Sequence, residues 1–449
     1  MPEKEQNNQS DFMIEKIKER PVNRKKLLRR TIITASMAVI FGLIACVTFL
    51  VLEPLINNWL YPEEEPQIVV FPEDQQEMSP EDMLAENLPP AETPTPTPEP
   101  QDVVLDKQQI EDILSGVVLD KDNYKQLYTA MSDYTTELNR YIVTVTAVTS
   151  NIDWFNNVQE SKNQTAGVII TDNGKELLVL TAAGLLRSAE SLTLTFYNGA
   201  QVNASIKQQD SSTGLAILAV ALTDIPDSVN KEELVYPVLG SANSNNMTGI
   251  PVIAMGSPMG ISNSVGYGMI TSSSHIYSAI DRTYRILQTD INGSQNASGV
   301  LFDLEGQIVG VITENKTGSD VKNVIYAYGI TDLRRIMEKL SNGNAVPYLG
   351  ISGVTVSADI NTELGVPQGA FVKKVDMDSP AMLAGIQQGD VITNIGGRNV
   401  VIFNDYSNAL MMLEPGQTIN ITVMRKVQDE FKEMNFAIEV GEKMEAGNS

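Results

Sequence analysis

The chain has 449 residues, 42% of them apolar and 20% charged, with a formal net charge of −24. Those proportions are globular and the length suits two or three cores, while the acidity disfavours nucleic acid and anionic lipid as ligands. A single cysteine, Cys46, excludes an internal disulfide, and a single histidine, His275, excludes a histidine-rich metal site and any chemistry needing two imidazoles. No EF-hand-like spacing of oxygen ligands is present, so neither a metal nor a cofactor is expected.

A basic tail, residues 1–30, precedes Thr31 to Leu52, 22 residues without a charge. At about 1.5 Å per residue that run matches a hydrocarbon core of roughly 30 Å, so a single transmembrane helix is expected over 31–52. Arg24, Lys25, Lys26, Arg29 and Arg30 lie before it and Glu53 after it. The positive-inside bias then places the N-terminus in the cytoplasm and the rest outside a cell membrane. From Glu53 to Val104 there is no Lys or Arg, and Thr93 to Pro100 alternates proline with polar residues. Residues 53–105 therefore read as an acidic, proline-rich linker. The spacing of Ile110, Ile113, Leu114 and Val117 predicts a helical extension over 106–140.

From Tyr141 the pattern changes to short apolar or alternating runs. They include YIVTVTAVT (141–149), AGVIIT (166–171), ELLVLTA (176–182), LAILAVAL (215–222), GIPVIAMG (249–256), YGMITSSS (267–274) and VIYAYGIT (324–331). Asn198-Gly199 and Glu305-Gly306 serve as turns between such runs. Strands at this spacing over 141–342 predict two packed β-barrels, closed by a helix from about Asp332 to Leu340. A second, α+β unit occupies 345–440, with a short helix after Ser379 ended by Gly385 and another near Asn404–Leu413. Residues 441–449 form a tail.

In order and spacing, Ala166-Gly-Val-Ile-Ile, Leu180-Thr181, Leu215-Ala-Ile-Leu, Ala254-Met-Gly-Ser-Pro-Met-Gly260, Gln288-Thr-Asp290 and Ser298-Gly299 resemble the HtrA family. Those proteins join a chymotrypsin-like double β-barrel to a PDZ domain. Tyr348-Leu-Gly-Ile351, Gly369-Ala-Phe-Val, Ser379-Pro-Ala and Gly389-Asp-Val-Ile carry the PDZ likeness. The resemblance implies a mainly β chain, with a single N-terminal transmembrane helix, then a double barrel, then an α+β PDZ domain.

A trypsin-like site needs a serine, a histidine to take its proton, and an aspartate to hold the imidazole. Carried onto this sequence, the histidine position is Gly184 and the aspartate position is Gly214. The serine position is Ser298 counting forward from Asp290, and Ala297 counting back from Gly306. On the first count, the glycine of the oxyanion hole is Asn296. His275 has no aspartate in sequence to orient it. No intact catalytic residue remains, and a pseudoprotease is expected; the alternative is an active HtrA-type serine endopeptidase using Ser298 with a non-standard base. The PDZ likeness implies that peptide or protein C-termini bind at Tyr348, Leu349, Gly350 and Ile351, beside the helix near Asn404–Leu413. Roles in envelope protein quality control or as a scaffold follow from the resemblance, as does a possible homotrimer formed through residues 106–150.

Overall fold

The computed structural model describes residues 28–29, 32–46, 48, 66–72, 121–152, 158–186, 189–229, 234–243, 247–318, 320–428 and 430–443. The chain divides into two units, Met1–Glu65 and Pro66–Ser449.

In the first unit a helix runs over 32–46. Residues 28–29 and 48 are helical as well. Among the described residues no helix is long and apolar enough to cross a membrane. This corrects the expectation of a transmembrane helix over 31–52. With it goes the single-pass placement in a cell membrane, N-terminus inside and later domains outside.

In the second unit, helix α1 (Lys121–Leu138) leads into two closed barrels. Residues 106–120 of the expected helical extension lie outside the described residues. The first barrel holds β1 (Ile142–Ile152), β2 (Val158–Asp172), β3 (Glu176–Ala182), β4 (Ser191–Thr195), β5 (Gln201–Asp210) and β6 (Leu215–Ala221), closed in the order β1-β2-β3-β6-β5-β4. The second holds β7 (Pro251–Ser257), β8 (Ser264–Ser278), β9 (Thr283–Asn292), β10 (Ser298–Phe302), β11 (Ile308–Thr313) and β12 (Val324–Gly329), in the order β10-β11-β12-β9-β8-β7. All neighbouring pairs in both barrels are antiparallel.

The continuous apolar runs have a simple cause. Successive side chains of a strand point to opposite faces. In β6, Ala216, Leu218 and Val220 fill the interior of the first barrel. Their neighbours Leu215, Ile217 and Ala219 enter a second core shared with the other barrel. Leu177 and Val179 of β3 divide from Leu178 and Leu180 in the same way. A strand buried on both faces has no position left for a polar residue. Helix α2 (Ile330–Ser341) then closes the shared core with Ile330, Leu333, Ile336, Met337 and Leu340, one apolar stripe at helical spacing.

Within the second barrel β7 pairs β10 through Gly256 and Gly299, and this pair faces the first barrel at Ala166. A Cβ on Gly256 would stand 2.6 Å from the Cβ of Ala166 in the first barrel, and one on Gly299 would stand 2.0 Å from the Met255 carbonyl oxygen. Gly299 also has φ of 120°, which side chains rarely adopt.

Residues 66–72 fall in the stretch read as linker, yet they pack on the barrels. The Val69 N–H donates to Asn342 Oδ1 at 2.9 Å, and Asn342 Nδ2 donates to the Val69 carbonyl at 2.8 Å. Arg334 bonds the carbonyls of Pro72, Leu239 and Gly240. The side chain of Val69 is buried in the shared core. The proline-rich run at 93–100 lies outside the described residues.

The last portion begins at β13 (Pro347–Tyr348), which pairs β20 (Gly441–Glu442), so part of the expected tail is structured. Its sheet runs β14 (Ile351–Thr355), β15 (Ala370–Val375), β16 (Val391–Ile395), β18 (Thr418–Val427) and β19 (Glu430–Glu439), with β17 (Arg398–Asn399) beside β16. Helices α3 (Ala358–Leu364), α4 (Pro380–Ala384) and α5 (Phe403–Met411) complete it. Ser379 caps α4 by accepting from the Met382 N–H, and Gly385 ends that helix at φ of 96°. Asp390 is held by two 2.7 Å bonds from Arg425, which fastens the turn into β16.

Gly299→Ala is expected to lose about 2–4 kcal/mol, because it adds a close backbone contact to an unfavourable φ. Urea denaturation of the purified variant measures this, and an unchanged midpoint would contradict the tight β7–β10 contact.

Candidate functional site

Two of the expected triad positions, Gly184 and Gly214, lie in adjoining turns of the first barrel. Gly184 lies in a 3₁₀ turn, Ala183–Leu185, directly after β3, and it is exposed. Gly214 precedes β6, with φ of 72°. The two turns are joined by the Ala183 N–H donating to the Gly214 carbonyl at 2.8 Å. A Cβ built on either glycine meets nothing within 4 Å. Open space is therefore present at both positions, and neither has a side chain that could take or hold a proton.

Ser298 is the first residue of β10 and is only 6% exposed. Its Oγ accepts from Thr165 Oγ1 at 3.0 Å and from the Ala166 N–H at 3.1 Å. Thr181 in turn donates to the Ala166 carbonyl at 2.9 Å, which links the seam to the strand leading to Gly184. A hydroxyl oxygen has two lone pairs, and here both accept bonds from the first barrel. The oxygen that would attack a carbonyl is occupied and covered.

Ala297, the other candidate, sits half-buried in the turn before β10 and carries only a methyl. The Asn296 N–H donates to Ser294 Oγ at 3.2 Å and the Ala297 N–H to the Ser294 carbonyl at 3.1 Å. On either count of the serine position, one of the two N–H groups needed for an oxyanion hole is spent inside this turn. Asn296 is not among the non-glycine residues at positive φ. His275, on β8, pairs with Ile286 of β9 and is half-buried.

One carboxylate near the Gly214 turn escaped the sequence reading. Asp210 is buried and accepts from the Thr213 N–H at 3.0 Å and the Thr213 hydroxyl at 2.8 Å. It lies 3.7 Å from the Arg282 guanidinium. Asp210 thus shapes the turn and balances a buried cation.

Residues Tyr348 to Ile351, the expected peptide site, form a tight turn leading into β14. Gly350 has φ of 88°, and a Cβ there would stand 2.2 Å from the Ser379 Cβ, so the tight turn requires glycine. The Tyr348 hydroxyl donates to Asp376 Oδ2 at 3.2 Å, and burial followed by the nearby Asp376 charge pushes that phenol upward. The N–H groups of Leu349, Gly350 and Ile351 converge on one carboxylate, that of Asp281 in the β8–β9 hairpin. Burial pushes the Asp281 carboxyl upward, opposed by the Tyr406 hydroxyl and these three N–H groups. Nothing local in the sequence marks Asp281, because its partners lie about seventy residues further on. The only cue is a charged Asp281-Arg282 pair at a hairpin tip between apolar strands.

Ser298→Ala is expected to cost about 1–3 kcal/mol, since it strands the buried Thr165 hydroxyl and Ala166 N–H. Adding Thr165→Val should recover part of that loss. A double-mutant cycle in urea reads both, and additive effects would contradict the bond across the seam.

Residues 165–311 match the family described as trypsin-like peptidase domain, and residues 347–438 match the PDZ domain. A probable periplasmic serine endoprotease, DegP-like, from Hahella chejuensis is 28% identical over 292 residues, covering 63% of this chain and 58% of the relative. The serine protease Do-like HtrA of Bacillus subtilis is 27% identical over 301 residues, covering 62% of this chain and 64% of the relative. The chain thus spans somewhat over half the length of the curated relatives it matches. A solved structure, HtrA-type protease AlgW with tripeptide, aligns with a TM-score of 0.50 at 21% identity, covering 71% of this chain and 98% of that one. The order of the two matched domains, the paired barrels and the named relatives agree: this chain is a member of the HtrA-type family of trypsin-like proteases with a C-terminal PDZ domain.

Proposed function

We propose that this chain is an HtrA-like pseudoprotease that binds peptides or protein C-termini through its PDZ domain, in protein quality control or as a scaffold. The observation that carries this is the state of Ser298. Its oxygen accepts two hydrogen bonds within a buried seam, and the positions of its would-be partners are glycines facing open space. General-base help is worth roughly 10²–10⁴-fold, and neither glycine can supply it. The C-terminus of a peptide would add beside β14, with the Leu349, Gly350 and Ile351 N–H groups for its carboxylate. One solved relative is described with a bound tripeptide, which supports peptide recognition in a chain of this fold.

The purified chain is expected to give no labelling with a fluorophosphonate probe and no cleavage of unfolded casein. Gly184→His combined with Gly214→Asp should leave both results unchanged, because the hydroxyl stays buried. Labelling lost in Ser298→Ala would instead establish an active serine endopeptidase working with a non-standard base.

Self-association as a homotrimer is part of the same proposal. Helix α1 leaves Tyr124, Leu127 and Tyr128 largely exposed, at 64%, 59% and 50%. Three large apolar side chains on one surface helix favour burial against a second copy. Light scattering should give a trimer mass that falls in a Tyr124→Glu, Leu127→Glu variant, and a monomeric parent would exclude it.

A further inference from the structure

Between β8 and β9 the chain turns over 279–282, and Asp281 stands at the tip with φ of 62°. It is 2% exposed. One carboxylate oxygen accepts from the N–H groups of Leu349 and Gly350, each at 2.8 Å. The other accepts from the Ile351 N–H at 2.9 Å and from the Tyr406 hydroxyl at 2.6 Å. The Asp281 N–H donates to the Ile351 carbonyl at 2.6 Å, and the Asp281 carbonyl accepts from the Ser407 hydroxyl at 2.9 Å.

The bonds with Leu349, Gly350 and Ile351 have counterparts in the capture of a chain terminus. A terminal residue docking on the free edge of β14 presents a carboxylate to successive loop N–H groups and its own N–H to the first strand carbonyl. Asp281 supplies both from a single residue, its side-chain carboxylate standing for the α-carboxylate. The strand it would extend is an edge, since β14 has β15 on one side only. The neighbouring Arg282 is anchored at longer range, 3.7 Å from Asp210 and 3.5 Å from the Pro347 carbonyl. The hairpin tip is thus held chiefly through Asp281.

We propose that Asp281 is an internal occupant of the PDZ carboxylate site, so that the second barrel keeps this site closed until a peptide with a free C-terminal carboxylate displaces the hairpin. The inference rests on the PDZ domain taking C-termini, as proposed above. A closed state lowers the apparent affinity for peptide by the fraction of molecules that are open. The competitor is covalently tethered, so it is always present at high local concentration.

The test uses the full chain and a panel of fluorescent peptides that differ only in their last residue, each as free acid and as C-terminal amide. Asp281→Asn keeps a residue that tolerates positive φ while removing the charge. Fluorescence anisotropy is expected to show the free acids binding this variant about tenfold or more tighter than the parent, with the amides binding neither. Hydrogen exchange at Leu349, Gly350 and Ile351 should quicken in the variant while the barrel strands stay protected. Tyr406→Phe, which removes one donor and leaves the charge, should give a smaller gain in affinity. Equal affinity of free acids for parent and Asp281→Asn would overturn the occlusion and leave peptide recognition standing. Failure of every peptide with every variant, or equal binding of acids and amides, would overturn both. Unchanged exchange at the three amides in a folded variant would also sink the occlusion.

Discussion

The two barrels share a core of apolar side chains, and one polar link between them is a serine hydroxyl. Gly256 lets β7 lie against Ala166, Gly299 lets β10 lie against β7, and Ser298 bonds Thr165 and Ala166 across the seam. The same oxygen cannot be a structural acceptor twice over and also an exposed nucleophile. Packing thus sets the hydrogen bonding of this hydroxyl. With that oxygen occupied, nothing at Gly184 or Gly214 calls for a proton acceptor, and both turns remain backbone only.

A second buried oxygen pair organises the other half of the chain. An ionised carboxylate taken out of water is costly unless donors surround it. Asp281 finds three loop N–H groups and a tyrosine hydroxyl, all from the PDZ portion. This brings the hairpin of one domain into the ligand loop of the other. The loop geometry depends on Gly350, whose missing side chain admits Ser379. Domain packing and ligand recognition therefore draw on the same few backbone groups.

Much of the architecture was legible in the residue pattern. The apolar runs fell on the barrel strands, the helix expected from Asp332 to Leu340 spans Ile330–Ser341, and the helix near Asn404–Leu413 spans Phe403–Met411. The glycine stop at Gly385 and the serine cap at Ser379 were legible too, because caps and turns act over a few residues. The uncharged run at 31–52 misled, since among the described residues no helix is long and apolar enough to cross a membrane. Residues 66–72 were hidden inside an acidic stretch, yet Val69 reaches the core through partners near residue 340. The two counts of the serine position differed by one residue, and spacing along the chain offers no way to choose between them.

By itself the sequence determined the barrels, the PDZ unit and the glycines at 184 and 214, because strand periodicity, turn chemistry and residue identity are local properties. Only the tertiary structure decided that Ser298 opens β10 with its hydroxyl bonded to the other barrel, leaving Ala297 in the turn before it. It alone brought Asp281 to the loop at Leu349, Gly350 and Ile351. Both outcomes depend on which distant backbone groups meet a side-chain oxygen, and that is set by how whole sheets pack.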